Sequence, residues 1–158
     1  MKNTKRVLLS LTIVLILSTI VISHCQVPCG IYGDQMRIDM ISEHIETIDK
    51  SIKSINEISS EEDGNQNQLV RWINNKDNHS DQLSEIITYY FMAQRVKPVE
   101  QDSEGYNEYV AQLVSLHKMQ VLSMKAKQNT DTEITKQLKE ELENFRKLYF
   151  DDKHDHKH

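Results

Sequence analysis

Proline, glycine, cysteine and aromatic residues are all scarce in this sequence. Its 158 residues include two prolines, four glycines and two cysteines, and Phe, Trp and Tyr together make up 6%. This composition excludes collagen-like, proline-rich and disulfide-rich proteins, and the shortage of turn-forming residues argues against an all-β sandwich or barrel. The net charge of −5 offers no basic surface for phosphates, so we expect no nucleic-acid partner.

The first 23 residues are typical of an export signal. Three basic residues precede a charge-free run over residues 7–22, and Val21 and Ser23 occupy the −3 and −1 positions for cleavage before His24. An uncleaved membrane anchor is the alternative, but the run is shorter than the ~20 residues that span a bilayer. We therefore predict a signal peptide over residues 1–23 and an exported protein, periplasmic or secreted, with no membrane attachment after cleavage.

Loss of the signal would remove three positive charges from a chain of net charge −5, leaving −8 on residues 24–158. A chain of this length buries roughly two-thirds of its unfolded surface, enough for one hydrophobic core. The first segment with helical periodicity runs from Asp34 to Ser59, and Asp34 is expected to cap its start. Its apolar stripe consists of Ile38, Ile41, Ile45, Ile48, Ile52, Ile55 and Ile58.

Three more amphipathic segments follow. The second runs from Leu69 to Val96, has an unusually polar middle, and ends before Pro98. Its predicted inward positions are Leu69, Ile73, Leu83, Ile86, Ile87, Tyr90 and Phe91. The inward positions of the third are predicted to be Tyr106, Tyr109, Val110, Leu113, His117, Val121 and Met124. Those of the fourth are Ile134, Leu138, Leu142, Phe145, Leu148 and Tyr149. Connections of roughly 5–10 residues make successive helices antiparallel neighbours, so we predict an all-α, up-down-up-down four-helix bundle.

Metal-binding chemistry is concentrated directly after the predicted cleavage site. His24 would carry a free α-amine beside its imidazole, and Cys25 and Cys29 supply two thiolates. The amide between His24 and Cys25 can deprotonate when a metal is held on both sides of it, which completes a planar set of two nitrogens and two sulfurs with one axial imidazole. Tetragonal fields of this kind suit Ni(II) or Cu(II). A local disulfide between Cys25 and Cys29 is the alternative in an exported protein.

The stretch His24-Cys25-x-x-Pro28-Cys29-Gly30-x-Tyr32 resembles the N-terminal nickel hook of the nickel-containing superoxide dismutases. Every fixed position of that nine-residue motif matches. A weaker resemblance to this family runs through residues 71–74 and 90–98. Members of this family are four-helix bundles that assemble into homohexamers. The resemblance therefore implies a nickel hook over residues 24–33, a helical bundle over 34–150 and a His-rich flexible tail over 151–158.

The resemblance implies dismutation of superoxide to oxygen and hydrogen peroxide, with one nickel ion per chain cycling between Ni(II) and Ni(III). The implied metal ligands are His24, Cys25 and Cys29, with the imidazole of His24 in the axial position. Tyr32 would stand over the open face of the metal and limit access to small anions. No nucleic acid or membrane partner is implied.

Several residues depart from the family pattern. Asp39 falls, after a one-residue gap, where a family glutamate orients the axial histidine. The arginine that completes this network has no clear equivalent, and His79, or less favourably Lys76, is the best candidate for its place. His44 and His117 are expected to have packing or surface roles.

Two other functions compete with the enzyme. One is a non-catalytic exported metal-binding bundle that stores or delivers nickel or copper through the thiolates and the His-rich tail. The other is a structural exported bundle with a Cys25–Cys29 disulfide. The match at all six fixed positions of the nine-residue motif, at the predicted new N-terminus, favours the dismutase.

Overall fold

The computed structural model describes residues 33–155, and the side chains of residues 33–150. Four α-helices and one π-helix follow each other in this range: α1 (Asp34–Ser60), α2 (Gln66–Glu85), the π-helix (Ile86–Arg95), α3 (Tyr106–Gln128) and α4 (Glu133–Asp155). The π-helix continues α2 without a break, and no strand occurs in the described range. The predicted division into four helical segments is confirmed.

Polar contacts between the helices show how the bundle runs. On α1 and α2, His44 contacts His79 and Ser51 contacts Asn75, so residue numbers rise on one helix as they fall on the other. The same antiparallel order holds for the pairs Lys76–Ala126, Gln112–Leu148 and Asp49–Thr135. Each helix therefore packs antiparallel to its two neighbours, and the up-down-up-down four-helix bundle is confirmed.

The isoleucine stripe of α1 forms one wall of the core. Six of its seven predicted residues are buried, and each buried isoleucine contributes roughly 1.5–3 kcal/mol relative to an exposed one. The opposite wall contains Phe91, whose ring meets those of Tyr90, Phe145 and Tyr149 edge to face at centroid distances of 5.0–5.5 Å. These aromatic contacts join the π-helix to α4 at one end of the bundle.

The predicted cap of α1 is wrong. Gly33, in an extended conformation, precedes the helix, and Asp34 is its first residue. The Asp34 carboxylate does not cap the backbone because it turns into the bundle, where Tyr90 and Tyr149 donate hydrogen bonds to it. By contrast, α2 does have a side-chain cap, because Asn65 accepts a hydrogen bond from the backbone N–H of Gln68 at 3.2 Å.

The predicted inward face of α3 is wrong in part. Of its predicted residues, His117 is exposed and Met124 is 51% exposed, whereas Gln112, Ser115 and Ser123 are buried. The small polar residues face the neighbouring helices because their side chains donate to backbone carbonyls there: Ser115 to Glu141, Ser123 to Ser80, and Gln112 to Leu148. Ile73 of α2, predicted to point inward, is likewise 37% exposed.

Candidate metal centre

The end of the bundle where α1 begins is the end that bears the predicted metal-binding segment. His24, Cys25, Cys29 and Tyr32 lie outside the described residues, so their roles as ligands and gate stay predictions. The described chain starts at Gly33, directly after Tyr32. The last turns of the π-helix and of α4 meet the first turn of α1 here.

Four side chains form a polar cluster at this end, which we call the Asp34 cluster: Asp34, Tyr90, Arg95 and Tyr149. The Asp34 carboxylate accepts hydrogen bonds from the hydroxyls of Tyr90 at 2.6 Å and Tyr149 at 2.9 Å. The guanidinium of Arg95 forms an ion pair with the same carboxylate at 2.9 Å and donates to the Tyr90 hydroxyl at 3.0 Å. No sequence signal singled out these contacts, because they join three separate elements.

Asp39 lies on the outer side of α1, one and a half turns beyond Asp34. Its side chain is exposed, and its carboxylate accepts a hydrogen bond from the side-chain amide of Gln35 at 2.7 Å. Asp39 is predicted to orient the imidazole of His24. This role requires the segment that precedes α1 to reach the exposed Asp39 carboxylate.

His79 is a residue of α2, and its ring faces that of His44 on α1. The two Nδ1 atoms are 2.8 Å apart, so the Nδ1–H of one imidazole donates a hydrogen bond to the Nδ1 of the other. Burial, and then the charge of His79, lowers the pKa of His44, while Glu43 opposes this shift. His44 was expected to pack or lie at the surface, and its place beside Ile41, Ile45 and Ile48 on the buried stripe indicates the packing role.

Lys76 has a structural role in the described chain. Its ammonium is buried and donates to the carbonyls of Ala126 at 2.6 Å and Lys127 at 2.8 Å, and to the Asp77 carboxylate at 2.8 Å. These three bonds use all three ammonium donors, so Lys76 holds the end of α3. This explains the polar middle of the second segment, where Ser80 is also buried and donates to the Lys76 carbonyl.

Within residues 33–150, no three His, Cys, Asp or Glu side chains form a group able to hold a metal ion. In that same range, none of the helices combines the length and the apolar character needed to cross a membrane.

The fold and the residues ahead of it define a class of protein: a four-helix bundle preceded by a segment whose histidine and two cysteines are predicted to bind a metal. The family model described as nickel-containing superoxide dismutase matches residues 19–153. The chain therefore belongs to the nickel-containing superoxide dismutase family. No curated protein and no solved structure is significantly similar to it.

Membership of this family confirms the activity, substrate and cofactor implied by the N-terminal motif. The protein is an oxidoreductase that acts on superoxide, and its cofactor is nickel. The match extends from before His24 to the last turns of α4, so it covers the bundle as well as the motif. It favours the enzyme over both alternatives, the storage or delivery protein and the disulfide-bonded structural bundle.

Proposed function

We propose that residues 24–33 hold the catalytic nickel of this superoxide dismutase. The metal ligands are the α-amine and imidazole of His24, the backbone amide nitrogen of Cys25, and the thiolates of Cys25 and Cys29. The observation that supports this proposal is the donor set. The only two cysteines of the chain follow His24 with three residues between them, and the chain belongs to a nickel enzyme family. Thiolate and nitrogen donors in this number fit nickel.

Nickel held by this segment would supply the one-electron chemistry that dismutation of superoxide requires, through its Ni(II) and Ni(III) states. The anionic thiolates and amidate donate electron density, which stabilises the higher oxidation state. Tyr32 limits the open face to small anions, and Asp39 and His79 orient the imidazole of His24. Backbone N–H groups near Cys29 orient the incoming anion and pass it protons through water.

A free N-terminus at His24 is a requirement of this ligand set. We propose that residues 1–23 direct export to a periplasm or the medium and are cleaved before His24, because a preceding residue would turn the amine donor into an amide. Adding one alanine before His24 should abolish dismutation while the helical circular dichroism signal is retained. An active variant would contradict the proposed ligands.

The second part of the proposal is assembly into a homohexamer, as the family resemblance implies. Residues 34–150 form the bundle that assembles, and residues 151–158, of which 151–155 continue α4, follow it as a His-rich segment. Native mass spectrometry of the exported protein, purified with nickel, is expected to show chains that begin at His24, one nickel each, in a six-fold assembly. A chain two hydrogens lighter without metal would indicate a Cys25–Cys29 disulfide and overturn the proposal.

Two sets of variants separate the enzyme from a storage or delivery protein. Cys25→Ser with Cys29→Ser should lose the bound nickel and the activity. Replacing His154, His156 and His158 with glutamine should change neither, because the tail is not part of the proposed site. If nickel followed the tail rather than the cysteines, the storage function would be favoured.

A further inference from the structure

The Asp34 cluster ties the first residue of α1 to two other elements of the bundle. Tyr90 and Arg95 come from the π-helix and Tyr149 from the last turns of α4. Tyr90 and Tyr149 are only 1% and 3% exposed, so their hydroxyls are withdrawn from water and directed at a single carboxylate. The terminal turns of helices ordinarily fray, so these contacts hold the first turn of α1 more firmly than is usual.

The π-helix is what allows Tyr90 and Arg95 to act together. In an α-helix, residues five apart point about 140° away from each other. In a π-helix, hydrogen bonds join residues five apart, so these residues lie nearly one above the other. The guanidinium of Arg95 therefore stacks over the Tyr90 ring at 4.7 Å while both side chains reach Asp34. On the same ring, Arg37 approaches at 5.3 Å.

Electrostatics keep the cluster in one state at neutral pH. Burial, followed by the hydrogen bond to Asp34, raises the pKa of both Tyr90 and Tyr149, so both hydroxyls stay protonated and keep donating. The charge of Asp34, whose side chain is 19% exposed, is compensated by Arg95. A charged acceptor with such donors forms hydrogen bonds about twice as strong as neutral ones.

We propose that the Asp34 cluster positions Tyr32 over the nickel site, with Asp34 as the positioning residue. Only Gly33 separates Tyr32 from Asp34, so their Cα atoms lie at most about 7 Å apart. A helix start held on three sides therefore fixes the point from which Tyr32 and the metal-binding segment extend. This inference rests on the proposed function of residues 24–33.

The test compares three variants of the full mature chain loaded with nickel. Asp34→Asn weakens the acceptor, and the double variant Tyr90→Phe with Tyr149→Phe removes both donors without changing α1. The matched control, Tyr106→Phe with Tyr109→Phe, removes two hydroxyls from α3, where these rings contact each other. Helical circular dichroism and the thiolate-to-nickel absorption band report that fold and thiolate ligation are intact.

Both test variants should keep these two signals. Amide hydrogens at residues 37–40 of the nickel-free protein, the first in α1 that donate to backbone carbonyls, should exchange at least about tenfold faster. Activity per bound nickel should fall by about tenfold or more, as is typical when a residue supporting a metal site is lost. The control variant should match the wild type. If the double variant fails to fold, Tyr90→Phe alone, which keeps the Tyr149 hydrogen bond, is measured in its place with the same expectations.

A double-mutant cycle with Tyr32→Ala, which removes the ring, separates positioning from a merely structural role. If Asp34 acts through Tyr32, Asp34→Asn should cost little further activity in the Tyr32→Ala background. Activity per nickel within twofold of the control, or losses that multiply fully in the cycle, would overturn the inference. Neither result would touch the proposed ligands, whose failure would show as nickel retained by the cysteine variants.

Discussion

Lys76 is a charged residue inside the bundle, and its partners explain why it is tolerated there. Its ammonium holds the carbonyls of Ala126 and Lys127 at the end of α3 and the carboxylate of Asp77. Replacing it with methionine, Lys76→Met, leaves these acceptors without their donor. We expect the free energy of unfolding to fall by about 2–3 kcal/mol in urea denaturation followed by circular dichroism.

Lys127→Met is the matched control for this experiment. Lys127 forms an ion pair with Asp81 at 2.7 Å, but the two side chains are 37% and 57% exposed. Exposed pairs contribute about 0–1 kcal/mol, so this variant should be close to the wild type in stability. Equal losses for the two variants would show that burial of the Lys76 ammonium is not what makes its contacts important.

His44 and His79 form a contact whose stability depends on pH. The pKa of His44 is lowered from its ordinary value of 6.5, chiefly by burial and then by the charge of His79. At a pH above the ordinary value, the His44 imidazole is neutral in both the folded and the unfolded chain. As the pH falls below the ordinary value, His44 takes up a proton in the unfolded chain before it does so in the folded chain, so the folded state loses stability.

The expected result is a free energy of unfolding that drops more between pH 7.5 and pH 5 in the wild type than in His44→Gln. Urea denaturation at the two pH values gives this difference. His117→Gln replaces an exposed histidine of α3 and should keep the wild-type pH dependence. A His44→Gln protein with an unchanged drop would contradict the assignment.

At the scale of the helix, α3 buries Ser115 and Ser123 beside its apolar core residues, while Val114 and Met124 lie outward. Ser123 donates to the carbonyl of Ser80 at 2.7 Å and accepts from the hydroxyl of Ser84 at 3.0 Å. We expect Ser123→Ala to lower the melting temperature, with a loss of about 1–2 kcal/mol, because a buried acceptor and donor lose their partner. Val114→Ala, at a 47% exposed position, should cost less than about 0.5 kcal/mol. The reverse order would contradict the placement of Ser123 on the buried face of α3.

At the scale of the whole molecule, the bundle and the metal-binding segment use different residues. The core cluster runs from Ile38 to Tyr149, and the proposed nickel ligands all precede it. Removing nickel with a chelator should therefore abolish dismutation while the helical signal is kept. Any change in unfolding free energy should follow nickel concentration, as binding to the native state requires.

Ile45→Ala is the informative comparison for that experiment. Ile45 is fully buried, and truncating it should cost about 2–5 kcal/mol whether or not nickel is present. A bundle that unfolds when nickel is removed would show instead that the metal-binding segment contributes to the core.

The sequence by itself determined the number and order of the helices, the end of the second segment before Pro98 and the nickel motif. The isoleucine stripe of α1 repeats at helical spacing, so the pattern is local and readable. The motif is equally local, since its nine consecutive positions include all the proposed donors. Family membership, activity, substrate and nickel were all implied by these residues and were confirmed.

Tertiary structure alone decided which faces are buried where polar side chains are involved. Ser115 and Ser123 are buried because carbonyls on neighbouring helices accept their hydrogen bonds, and no local pattern reports such partners. Contrary to expectation, Asp34 does not cap α1, for the same reason. Two tyrosines and an arginine, 56 or more residues away along the chain, contact its carboxylate. Side chains so far apart in sequence meet only once the helices have packed.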